Sequence, residues 1–302
     1  MHKHFVPACT LFLSSLLIVS CQKQADLSIE KNALEETQQT ISSAESDVEA
    51  DVIFNDVFDN VMGVDADAGL GSGIGIFSSN NSNGDITVEN TGVDSTRPTC
   101  FTVTVVPKDR GVYPKTYTID FGSGCVGRDG KTRKGKIITV FTGAMSVAGS
   151  KATTTFDGHY VDSAKIEGTH TVTNNSTSNN RSFTVKVENG KISFPSDNYI
   201  TWNKNKTWLQ TEGNGTPNSP LDDVFSISGS ASGSCVKNGT TNTWSKEITE
   251  NLLRRFTCRW IVKGKVTIKR NDNSAVIDFG DGSCDNKATV TSAAGIKEIT
   301  MR

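Results

Sequence analysis

"CFTVTVVPKDRGVYPKTYTIDFGSGC" spans residues 100–125, and "CRWIVKGKVTIKRNDNSAVIDFGDGSC" spans residues 258–284. Each stretch opens with a cysteine beside an alternating apolar run, crosses a turn-rich middle, and returns along a second run that ends in Ile-Asp-Phe-Gly and a cysteine. Facing residues of a hairpin keep a constant index sum, so pairing the cysteines centres the turns near residues 112–113 and 271. Those positions fall in "RGVYP" and "RNDNS", both turn-forming. Cys100 is therefore expected to face Cys125, and Cys258 to face Cys284, at the short Cα separation a disulfide needs. Cys235 is left as an odd thiol. Within the repeated string, Phe121 and Phe279 are expected to plug the core at a strand end. The glycines that follow supply the positive φ of a turn, and Asp120 and Asp278 cap nearby backbone amides.

The same character extends over residues 98–302, where short runs rich in Thr, Val, Ile and Phe are broken every few residues by Gly, Asn or Asp. That is the all-β signature. In "SFTVKVENGKISF", residues 182–194, the Asn189-Gly190 pair between two alternating runs predicts a hairpin turn. No crossover helices separate the runs, so the sheet is antiparallel. The expected architecture is all-β: an extended antiparallel meander or sandwich of about a dozen strands, preceded by a short acidic amphipathic helix.

Upstream, "MHKHFVPACTLFLSSLLIVSCQK" has a short apolar run and a small residue before Cys21, the layout of a secretory signal peptide over residues 1–20. Its end, Ile18-Val19-Ser20-Cys21, resembles the lipobox of bacterial lipoproteins. The resemblance implies that Cys21 is acylated and anchors the chain to a membrane, and the Gln after it implies the outer membrane, on its periplasmic or cell-surface face. Residues 21–64 read as a lipidated tether followed by a helix. From Cys21 to about Gln39 the chain is polar and without aromatics, which suggests a flexible tether that becomes helical toward its end. Ile53, Phe54, Val57, Phe58, Val61 and Met62 recur at helical spacing, with Asp51, Asn55, Asp56, Asp59 and Asn60 on the other face, so an amphipathic helix is expected from about Ser43 to Met62. Residues 65–97 are a Gly/Asn/Ser-rich linker. Asp65 and Asp67 lack the rest of a calcium loop, and the glycines at 69, 71, 73 and 75 match no nucleotide fingerprint.

Charge is uneven. Residues 22–68 hold 12 acids and 2 bases, while residues 69–302 hold 28 bases and 21 acids. One reading is solvated surface charge; the other is an anionic partner for the basic body, such as a polysaccharide or lipid head group. In "ITWNKNKTWLQ", Trp202 and Trp208 share one strand face with Lys204 and Lys206 between them. That pattern fits packing against a neighbouring element, and also a candidate ligand platform that binds sugar. The basic cluster Arg128, Lys131, Arg133, Lys134 and Lys136 reads as a solvated hairpin loop, without the interleaved aromatics of a nucleic-acid site. Only His159 and His170 survive removal of the signal peptide, and no nucleophile elbow, metal-ligand spacing or cofactor motif accompanies them. No catalytic residue, metal or cofactor is expected.

Together "IDFGSGCVGRDGKTRKGKI", "FDGHYVDSAKIEGTHTVTN", "TWNKNKTW", "DDVFSISGSASG" and the second cysteine repeat resemble a family of uncharacterised exported lipoproteins of Bacteroidota over residues 98–302. The resemblance implies a β-rich exported domain with no assigned activity. The functional expectation is a non-enzymatic, membrane-anchored cell-envelope lipoprotein that offers a structural or interaction surface to an envelope protein. The alternative is a glycan-binding lipoprotein using Trp202 and Trp208, with a secreted hydrolase as a remote third.

Overall fold

Alternating Val, Thr, Ile and Phe over most of the chain produce one sheet in which nearly every strand pairs with its neighbours in sequence. The computed structural model describes residues 20–62, 100–109, 111–127, 130–216 and 220–301. The expected signal peptide except its last residue, Ser20, the expected linker over residues 65–97 with Asp65 and Asp67, and Arg128 lie outside the described residues. The chain divides into two compact units, one ending at Glu36 and the other beginning at Thr37.

The strands are β1 (Thr102–Val106), β2 (Lys115–Asp120), β3 (Cys125–Val126), β4 (Thr132–Phe141), β5 (Lys151–Val161), β6 (Ala164–Asn174), β7 (Ser182–Ser193), β8 (Tyr199–Glu212), β9 (Val224–Lys237), β10 (Thr240–Arg255), β11 (Ile261–Arg270), β12 (Asn273–Asp281), β13 (Lys287–Ser292) and β14 (Gly295–Thr300). They form one 14-stranded antiparallel meander, with β3 off the main path on β4. The sheet is open, because β1 and β14 each pair on one side only.

Cys100 and Cys125 are joined, with Cα atoms 5.3 Å apart, as are Cys258 and Cys284 at 5.8 Å. Cys235 is free and buried. In the second repeat Val266 faces Ile277 and the turn falls after Arg270, where the cysteine pairing puts it. The first repeat differs: Thr102 faces Asp120, so Cys125 does not extend β2. The strand is interrupted after Asp120, with Gly122 at φ 58°, and resumes in the same direction as β3, which places Cys125 opposite Arg133 on β4. Asp120 Oδ1 accepts from Gly122 N at 2.8 Å, and Asp278 Oδ1 accepts from Gly280 N at 2.9 Å. The repeated Asp-Phe-Gly is thus a buried phenylalanine followed by an Asp-capped turn.

Two expectations need correction. Asn189-Gly190 makes no hairpin: β7 runs straight through it with a bulge between Val187 and Gly190, and Asn189 at φ 53° spends its left-handed conformation there. The tight turn forms instead at Asn238-Gly239, both at positive φ, between β9 and β10. The second correction concerns the helix. α1 (Ser20–Met62) begins far upstream of Ser43, because residues 21–42 are dominated by Gln, Glu, Lys, Ala and Leu, good helix formers whatever their lack of aromatics.

From Thr37 onward α1 is the core of the fold rather than its lid. Consecutive residues Ser46, Asp47 and Val48, and again Val57, Phe58 and Asp59, are buried, and three successive residues point in three directions around a helix. Phe54 packs on Phe156 of β5 and Trp202 of β8, Arg254 of β10 holds Asp59, and Lys297 of β14 pairs with Glu45. The sheet therefore curls around the helix. The bulge at Gly190 belongs to this arrangement, since a Cβ there would lie 3.2 Å from the Phe54 ring.

Candidate functional site

Strand β8 alternates cleanly, and its inward face reads Ile200, Trp202, Lys204, Lys206, Trp208, Gln210, all buried. Its outward face is Thr201, Asn203, Asn205, Thr207 and Leu209. Two lysines on the core face and a leucine on the wet face invert the usual preference. The reason lies on α1, where Asp47, Asp51, Asn55 and Asp59 recur every four residues and form one stripe.

The two stripes meet in a buried seam. Lys206 Nζ donates to Asp51 Oδ2 at 2.5 Å. Lys246, inward-facing on β10, donates to Asp47 Oδ2 at 2.5 Å and to Asp51 Oδ2 at 3.1 Å. The indole N–H groups of Trp202 and Trp244 both reach Asp47 Oδ1, at 3.0 and 3.4 Å. Lys204 Nζ donates to the Asn55 carbonyl at 3.2 Å and stands 3.8 Å from Asp51 Oδ1. Farther along, Arg254 grips Asp59 and Arg259 pairs with Asp56 at 2.6 Å. Phe54 stacks on Trp202, and Phe58 lies against Trp208 with ring centroids 4.2 Å apart.

Three buried lysines thus share two buried aspartates, and buried charge is tolerated only where it is paired. Burial would push Asp51 up, but Lys206, Lys246 and Lys204 outweigh it and hold the carboxyl well below 3.8. Burial likewise works against Lys246, yet Asp47 and Asp51 keep its ammonium above 10.5. Lys204 has no such carboxylate of its own. Burial, reinforced by Lys206 and Lys246, takes it down to about 7 despite Asp51. His170 on β6, fully buried, is pushed well below 6.5 by burial and then by the Lys204 charge.

The candidate ligand platform is overturned: Trp202 and Trp208 are each 0% exposed, under the helix. The basic cluster is only partly solvated, because Arg133 is buried on β4. His159 is buried beside Phe156 and donates from Nδ1 to the Lys134 carbonyl, 3.2 Å away, and burial lowers it to about 4. Cys21 lies in the first turn of α1. Among the described residues no group of three His, Cys, Asp or Glu side chains is arranged to hold a metal ion.

The basic excess of the body is answered in part by the chain's own helix. Its signal was present: lysines at core parity on β8 and a carboxylate stripe of period four upstream. No family model, no curated protein and no solved structure matches the chain.

Proposed function

We propose that this chain is a non-enzymatic lipoprotein of the cell envelope, anchored in the outer membrane through Cys21, whose curved sheet is a scaffold and whose outer face is the interaction surface. One observation carries the reading: the inner side of the sheet is filled by α1, from Thr37 to Val61, with its charges paired inside. The outer face is what remains for contact. Across β8, β9 and β10 it is a field of short hydroxyl and amide side chains, among them Asn203, Asn205, Thr207, Ser228, Ser230, Ser232, Thr243 and Ser245. Such a face suits a hydrated protein partner in the envelope better than an apolar ligand. The anchor rests on the sequence ahead of Cys21, and the exported location agrees with two disulfides. The resemblance to Bacteroidota exported lipoproteins points the same way.

Metabolic labelling with an alkyne fatty acid tests the anchor. The chain should take up label and fractionate with outer membrane, and Cys21→Ala should lose both. Label retained in Cys21→Ala would refute the anchor.

A further inference from the structure

We propose that Lys204 and Asn55 are joined by an intramolecular isopeptide bond that ties β8 to α1, with the Asp51 carboxylate beside the amine as its counter-ion. The Lys204 amine lies 3.2 Å from the oxygen of the Asn55 carboxamide, so the carbon it would attack is one bond farther on. Both side chains are buried. Asp51 Oδ1, buried and accepting no hydrogen bond among the described residues, stands 3.8 Å from the same amine. Nucleophile, electrophile and counter-ion are thus held together by a helix and a strand that cannot move apart without opening the core. Such fixed proximity is worth effective molarities on the order of 10⁵ to 10⁸ M in well-oriented intramolecular reactions.

The protonation states suit the chemistry. An ammonium has no lone pair, but burial and the neighbouring Lys206 and Lys246 charges bring Lys204 down to about 7, so a large share is free amine near neutrality. Asp51 stays ionised under the lysines around it, and its charge stabilises the cation that the attacking nitrogen becomes. The amine lone pair attacks Asn55 Cγ, the new C–N bond forms, and the carbonyl electrons move onto Oδ1. The attacking nitrogen, now cationic beside the Asp51 carboxylate, passes its proton to Asn55 Nδ2. The C–Nδ2 bond then breaks with its electron pair, ammonia leaves, and the carbonyl reforms. One amide replaces another, nothing is oxidised or reduced, and no co-reactant is consumed.

The other close pairs are poorer candidates. In Lys206 with Asp51 and Lys246 with Asp47 the amine faces a carboxylate at 2.5 Å, and a carboxylate is a far poorer electrophile for an amine than a carboxamide. Asn55 offers a neutral carbonyl, and Lys204 is the lysine whose nearest acceptor is neutral.

Peptide mapping of the full-length exported protein, reduced, alkylated and digested with trypsin and chymotrypsin, decides the matter. The expected product is an Asn55 peptide joined to a Lys204 peptide and lighter than their sum by one molecule of ammonia. Trypsin should cut after Lys206 but not after Lys204. Asn55→Ala should abolish the linked peptide, and Asp51→Asn should reduce it about a hundred-fold, the low end of the range for a lost electrostatic stabiliser. Linear peptides ending at Lys204, together with unmodified Asn55, would overturn the proposal. A Lys206–Asp51 link, lighter by one water, would overturn the assignment, and an undiminished link in Asp51→Asn would remove Asp51 from its role.

Discussion

Asp47 is the residue on which the seating of the helix most directly depends, and Asp47→Ala measures it. The carboxylate is fully buried and takes three donors: Trp202 Nε1, Trp244 Nε1 and Lys246 Nζ. Alanine orphans both indole N–H groups, each costing about 1 to 3 kcal/mol when buried without a partner. Lys246 keeps Asp51 at 3.1 Å, so its loss falls at the low end of what breaking a buried pair costs, roughly 3 kcal/mol or less. The sum is about 2 to 9 kcal/mol, a large part of the 5 to 15 kcal/mol typical of a domain. At about 2 to 4 °C per kcal/mol for a domain near this size, melting should fall by roughly 4 to 36 °C. Asp47→Asn keeps the Oδ1 acceptor and should lose clearly less. Glu45→Ala, which breaks only the exposed pair with Lys297, should stay within about 0.5 kcal/mol of the parent. The assay is thermal melting by circular dichroism and tryptophan fluorescence with the disulfides intact. If Asp47→Ala melts together with Glu45→Ala, the helix is not held in the sheet by this seam and the reasoning fails.

Two further outcomes follow from the same core. In Gly190→Ala the new Cβ would lie 2.6 Å from the Trp202 carbonyl oxygen and 2.8 Å from Val187, so β7 and β8 must separate; a loss of about 1 to 3 kcal/mol is expected in urea melts, while Gly215→Ala, in open space, should be silent. Burial pushes Asp59 up to about 6, the Arg254 charge opposing and the neighbouring Asp56 assisting. The folded state therefore holds a proton on Asp59 that the unfolded chain, at 3.8, has lost, and stability from this group falls as pH rises between those values, by up to about 3 kcal/mol. Urea midpoints across that interval should decline in the parent and flatten in Asp59→Asn, and a decline of equal size in both would assign the effect elsewhere.

How much of this was legible in the chain varies with the range of the interaction. The cysteine repeats could be read because each is a local hairpin: alternation set the strands, turn residues set their centres, and the disulfides followed from both. Even there the first repeat holds an irregularity that was not read, since the chain bulges at Gly122 before resuming the same direction at Cys125, and local alternation cannot see an insertion of that kind. Asn189-Gly190 was misread for a related reason. The pair permits positive φ, but whether that makes a turn or a bulge depends on what lies across the strand, and here that is Gly168 on β6 and the Phe54 ring.

The strand pattern, the two covalent clasps and the shared parity of Trp202, Lys204, Lys206 and Trp208 were determined by the sequence alone, because each rests on neighbours within a few residues or on a period of two. The acidic stripe of α1 was equally visible, with Asp47, Asp51, Asn55 and Asp59 four apart. What only the tertiary structure decided is that these stripes face each other across more than 140 residues of chain, as the 149-residue separation of Lys204 and Asn55 illustrates. A lysine at core parity is a contradiction while its strand is considered alone, and a carboxylate stripe reads as a solvated face while its helix is considered alone. Burial becomes favourable for each only when the other supplies the opposite charge, and that pairing exists only once the sheet has curled around the helix.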